Sequence, residues 1–131
     1  MTKTTVHVFL GNFLSIEEAT NYTEAQWEAE PDAIVSDKEY TEWENRNPVW
    51  LMKNDLKVYL DSDFIETIEG ETRFEYLEEI LSDKKSIREI RNINYQSNIL
   101  VLIFKKTLGG FNADLTSTNL LHYCGEYDCI I

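Results

Sequence analysis

Hydrophobic and polar positions change period several times along the chain, and each change marks an element. "TTVHVFL" alternates Val6, Val8 and Leu10 with Thr5, His7 and Phe9, which predicts a strand with one strongly apolar face. Gly11 and Asn12 end it. Ser15 with Glu18 is a capping-box spacing, so "SIEEATNYTEAQWEA" is expected to be helical, with Pro31 closing the region. Ser36 with Glu39 repeats the signal before "DKEYTEWENR", where Tyr40 and Trp43 fall on one helical face and Pro48 is the stop. "PVWLMKNDL" fits a helical turn or a loop. "KVYLDSDFIETIE" carries the β-branched and aromatic residues of a strand. That strand would put Tyr59, Asp61 and Asp63 on one face, with Leu60, Ser62 and Phe64 on the other.

The second half is easier to read. In "TRFEYLEEILSD", Phe74, Leu77 and Leu81 with Tyr76 and Ile80 make an apolar stripe at helical spacing. "SIREIRNI" fits a second short helix. "SNILVLIFKK" is nearly all apolar, the mark of a central strand buried on both faces. "TLGGFNADLTST" has loop chemistry. "NLLHYCGEYDCII" reads as one kinked strand or two short ones, bending or bulging at Gly125. Strand, helices, strand, helices, strands is an α+β order. The expectation is one domain over residues 1–131, with a mixed or mainly antiparallel sheet and helices packed on it.

Charge adds a second layer. The formal net charge is −12, and it is uneven. Residues 17–83 carry twenty acids against five bases, a net of −15, while residues 84–131 come to +2. Such a field repels nucleic acid and anionic lipid and attracts basic partners. Its simpler use is to keep a solvated face soluble. Trp27, Trp43, Trp50, Tyr22, Tyr40 and Tyr59 lie in the same acidic half. Aromatics ringed by charge are typical of protein-binding surfaces, although any single tryptophan is better explained by core packing. There is no apolar run long enough for a membrane span and no signal-peptide pattern, so a cytoplasmic protein is expected.

Candidate chemistry is sparse. Asp61, Asp63 and Glu66 are oxygen donors of the type that hold Mg²⁺ or Ca²⁺. The calcium-loop pattern fails, because Ile65 and Glu66 occupy the positions of a ligand and a glycine. On a strand Glu66 would also face away from the two aspartates. No metal and no cofactor are expected. His7 and His122 are the only histidines, and a lone strand histidine is usually a packed one. Cys124 sits two residues from His122, but nothing in the pattern implies a lowered thiol pKa. Cys124 and Cys129 have neither CxxC nor zinc-site spacing and are read as reduced thiols. Nucleophile-elbow, phosphate-loop, dinucleotide-binding and zinc-protease motifs are lacking. The expectation is a non-enzyme, the alternative being a small metal-dependent hydrolase using Asp61, Asp63 and Glu66, or a regulatory module with some other basic partner.

Three segments together resemble the immunity protein 22 family of bacterial polymorphic toxin systems: "VHVFLGNF" at Val6 to Phe13, "NPVWL…YLDSDFIE" at Asn47 to Glu66 and "LHYCGEY" at Leu121 to Tyr127. Gly11 and Phe13 match the end of the family's first strand. Trp50 matches an aromatic stretch. Tyr59, Asp61, Asp63, Phe64 and Glu66 match an acidic segment, and Gly125 and Tyr127 match the last strand. The acidic, tryptophan-containing stretch from Glu28 to Asn47 departs from that pattern as an insert would. The resemblance implies an α+β cytoplasmic protein that binds and neutralises a toxin encoded beside it, and an acidic inhibitor suits a basic toxin such as a cationic nuclease. Taken with the charge pattern, it nominates Asp61, Asp63, Glu66, Tyr59, Trp43 and Trp50 as partner-binding residues. The expected partner is a basic protein, not nucleic acid or membrane.

Overall fold

The computed structural model describes residues 3–131. Four strands, β1 (Lys3–Gly11), β2 (Ile65–Glu69), β3 (Ile99–Phe104) and β4 (Leu121–Ile130), form one antiparallel sheet in the order β2-β3-β1-β4. Helices cover both faces, giving an α+β domain of three layers. This is the expected class, with every strand pair antiparallel.

The two central strands explain both layers. β3 is buried at all six positions, and β1 is buried from Val6 to Gly11. Phe9, Ile99, Val101 and Ile103 point to one face, where they meet helix α1 (Ile16–Thr23), helix α3 (Leu51–Leu56) and Leu115. Val6, Val8, Leu10, Leu100, Leu102 and Phe104 point to the other, where they meet α4 (Arg73–Ile80) and α5 (Lys84–Arg91). β1 therefore has two apolar faces where the alternation implied one. Its second face comes from Phe9 and from His7, whose polar ring is buried with partners.

Local signals set several boundaries. Ser15 Oγ accepts from the Glu18 N–H at 3.1 Å and starts α1. That helix ends at Thr23, six residues before the expected limit, because Gln26 turns outward to exchange backbone hydrogen bonds with Val49 at 2.8 and 2.9 Å. Ser36 Oγ accepts from the Glu39 N–H at 3.2 Å and starts α2 (Asp37–Arg46), as its capping box implies. "LMKNDL" resolves into α3, which Lys57 ends in the left-handed conformation at φ 58°.

The expected strand over Lys57 to Phe64 does not form. Asp61 Oδ1 instead accepts from the Asp63 N–H at 3.1 Å and starts a 3-10 turn over Ser62–Phe64. Thr107 clasps that bend. Its carbonyl accepts from the Asp61 N–H at 2.7 Å, and its hydroxyl donates to the Phe64 carbonyl at 2.5 Å while accepting from the Phe104 N–H at 3.1 Å. Only from Ile65 does the chain join the sheet. At the other edge, β4 is one strand with a bulge: Val8 pairs with Gly125 and Phe9 with Tyr123, leaving Cys124 as the extra residue. Gly125 sits there at φ 138°, where a Cβ would be strained and would meet the Tyr127 hydroxyl at 3.3 Å.

Candidate protein-binding site

The residues nominated from the sequence do not share one surface. Asp61 and Asp63 are not neighbours on a strand face; they cap and continue the 3-10 turn. Asp63 and Glu66 line one cavity of about 290 Å³ with Tyr76 and Lys106, and Asp61 is not part of it. Tyr59 is 59% exposed and lies over Gly109, next to Lys53 and Lys57. Trp50 is not at the surface. It is 7% exposed, its indole N–H donates to the Thr23 carbonyl at 2.8 Å, and it belongs to the core under α1. The aromatic grouping had placed it with Trp43, but its hydrogen bond makes it a structural residue.

Trp43 lies in a small lobe. Tyr40 and Trp43 on α2 meet at a tilt with ring centroids 5.5 Å apart, and Trp27 meets Trp43 at 6.1 Å. Polar ties complete it: Arg46 reaches Glu28 at 2.8 Å, Tyr40 donates to Glu30 at 2.8 Å, and the Glu28 N–H donates to Asn47 Oδ1 at 2.8 Å. No residue of α2 is buried, and Trp27 is 62% exposed. The stretch from Glu28 to Asn47 is thus an appendage to the core.

A second acidic surface lies beside β2. An open groove of about 660 Å³ runs between α4 and the C-terminal end of α1, with β2 at its base. Glu24, Glu66, Glu75 and Glu79 line it, and no lysine or arginine does. Glu66 pairs across the sheet with Leu102, so it projects toward α4; there burial first, and then the nearby Glu66 carboxylate, hold the Tyr76 phenol above the ordinary range. Thr67 projects to the opposite face, where its hydroxyl meets that of Thr23 at 2.8 Å. Of the four carboxylates only Glu66 was singled out from the sequence. Glu75 and Glu79 carry a faint signal, their i, i+4 spacing on the polar side of α4. Glu24 carries none, because only the early end of α1 brings it there.

Other reactive groups are packed for structure. His7 Nδ1 meets the Tyr123 hydroxyl at 2.7 Å, and Nε2 stands 3.4 Å from Glu126. A neutral ring protonated on Nε2 satisfies both, and burial lowers its pKa more than Glu126 raises it. Burial pushes the Cys124 thiol up to about 12, which leaves it protonated and unsuited to attack. Among the described residues, no group of three or more His, Cys, Asp or Glu stands where it could hold a metal ion, and no helix is long and apolar enough to cross a membrane.

Comparison with protein-family models, with curated proteins and with solved structures finds no match for the chain. The likeness to immunity protein 22 therefore rests on the three short segments alone.

Proposed function

We propose that this protein acts by binding a basic protein partner, and that the partner is a toxin domain that it neutralises. The observation that carries this reading is the groove beside β2, which four carboxylates line and, among the described residues, no basic side chain does. A field of one sign in a concave site focuses on a cationic surface and speeds its encounter. The hydrolase alternative draws no support from the geometry, because Asp61 caps a turn while Asp63 and Glu66 line a cavity beside Lys106. The motif likeness to immunity proteins supplies the toxin part of the proposal.

Co-expression with the product of the adjacent gene tests it. The neighbouring product alone should arrest growth, and this protein should relieve the arrest. The association rate of the purified pair should fall steeply as salt shortens the screening length below about 10 Å. Glu75→Lys with Glu79→Lys should keep the fold and weaken relief. Failure to relieve growth arrest, or an association rate unchanged by salt, would overturn the reading.

A further inference from the structure

The sheet has two edges, and they are treated differently. Along β4, Leu81 bridges to Cys129, the Ser82 N–H donates to the Asp128 carbonyl at 3.3 Å, and the Tyr123 N–H donates to Ser117 Oγ at 2.9 Å. That edge is tied at Tyr123, Asp128 and Cys129. β2 is paired with β3 on one side only, and among the described residues no backbone–backbone hydrogen bond from another segment reaches the outer side of Ile65–Glu69. Its outward N–H and C=O groups are a template for one more strand.

The groove is shaped around that template. A groove lying on one face of a sheet is lined by alternate residues of a strand, since neighbours point to opposite faces. Here four consecutive residues, Ile65 to Ile68, line it. Its walls come from opposite faces: Glu24 at the end of α1 on one side, Glu75 and Glu79 of α4 on the other. The groove therefore follows the strand's edge, with α4 along one side and Glu24, just past the end of α1, on the other.

We propose that the open edge of β2 receives an extended basic segment of the partner as a fifth strand of the sheet. This inference rests on the function proposed above and gives it a mode of recognition. Five residues at about 3.3 Å each set the length of the docked stretch. The incoming strand would point alternate side chains to the two walls. Those on the α4 side meet Glu66, Glu75 and Glu79, and those on the α1 side meet Glu24. Lysine or arginine at every second position, turned toward α4, is the matching pattern. A second copy of this chain is a poor occupant, because pairing β2 with β2 would bring two such sets of carboxylates together.

A peptide test separates backbone pairing from charge attraction. The probe is a Lys-Val-Lys-Val-Lys-Val-Lys peptide with blocked ends. Its control has the same sequence with alternate backbone amides N-methylated, which keeps the charge and removes ladder donors. Binding is read by titration calorimetry and by amide shifts across residues 65–69. The unmodified peptide should bind at least tenfold more tightly than the control, with its largest shifts in β2. Glu75→Lys with Glu79→Lys should weaken it at least tenfold. Equal binding of the two peptides, no binding of the unmodified one at millimolar concentration, or shifts away from β2 would each overturn strand addition. The two proposals fail separately. Equal peptide binding alongside relief of growth arrest removes the docking mode and keeps the function. Docking without relief removes the toxin reading.

Discussion

Replacing Thr107 by valine isolates the clasp that bends the chain before β2. Valine keeps the β-branched shape in a site with no exposure and deletes one hydroxyl. Two backbone groups lose their partner at once, the Phe64 carbonyl and the Phe104 N–H. Each buried group left unpaired costs about 1–3 kcal/mol, so the pair should cost about 2–5 kcal/mol, the upper part discounted because the Phe64 carbonyl is only partly buried. With an unfolding entropy of about 2.1 cal/mol/K per residue, a 131-residue chain shifts its melting point by about 3.6 °C per kcal/mol. Thr107→Val should therefore melt about 7–18 °C below the parent. Thr107→Ser keeps the hydroxyl and loses a methyl, which costs about 1 kcal/mol, or about 4 °C. Thermal unfolding followed by circular dichroism reads both. If valine and serine melt within a degree or two of each other, the hydroxyl does not hold the bend and the account of this segment is wrong.

Three further outcomes follow from other parts of the molecule. The folded pKa of His7 lies below its unfolded value near 6.5, so its stabilisation is complete above pH 6.5 and is lost as pH falls through the folded value, with a slope no steeper than about 1.4 kcal/mol per pH unit. Urea unfolding of the parent and of His7→Gln should show a stability difference that changes below pH 6.5 and levels above it; a constant difference would contradict the assignment. In hydrogen exchange, amides of α2 should exchange by local opening while those of β1 and β3 wait for global unfolding, and Trp43→Ala should abolish α2 protection with little change in melting point; equal protection of α2 and β3 would refute this. Mg²⁺, Ca²⁺ and Mn²⁺ should leave the melting point unmoved, whereas a folded-state ligand at a hundred times its dissociation constant adds about 2.7 kcal/mol; a rise of several degrees with one ion, reversed by chelator, would restore the metal-site reading of Asp61, Asp63 and Glu66.

How far the sequence could be read depended on where each residue finds its partner. Ser36 with Glu39 gave the start of α2, because a capping box is satisfied within four residues. The apolar run at Ile99–Phe104 gave β3, because burial on both faces leaves no polar position. The bulge at Gly125 was legible because only glycine suits φ 138°. The segment from Lys57 to Phe64 misled because its β propensity was outweighed by hydrogen bonds to Thr107, more than forty residues away. Trp50 misled for the same reason, since nothing local foretells its bond to the Thr23 carbonyl. The groove was the least legible part. Glu24, Glu66 and Glu75 come from three elements that meet only in the folded sheet, and no spacing along the chain links them.

The paired backbone hydrogen bonds between Gln26 and Val49 have a consequence for how this protein can change. They close residues 27–48 into a loop whose two ends already stand as neighbours in a hairpin. An Asn-Gly turn, which joins paired strands with two residues, would span the same gap. Closure entropy grows only slowly with length, so the core is nearly indifferent to how many residues that loop contains. The segment is a graft site. Exchanging, lengthening or removing its aromatic and acidic residues is expected to leave Trp50 and the sheet as they are.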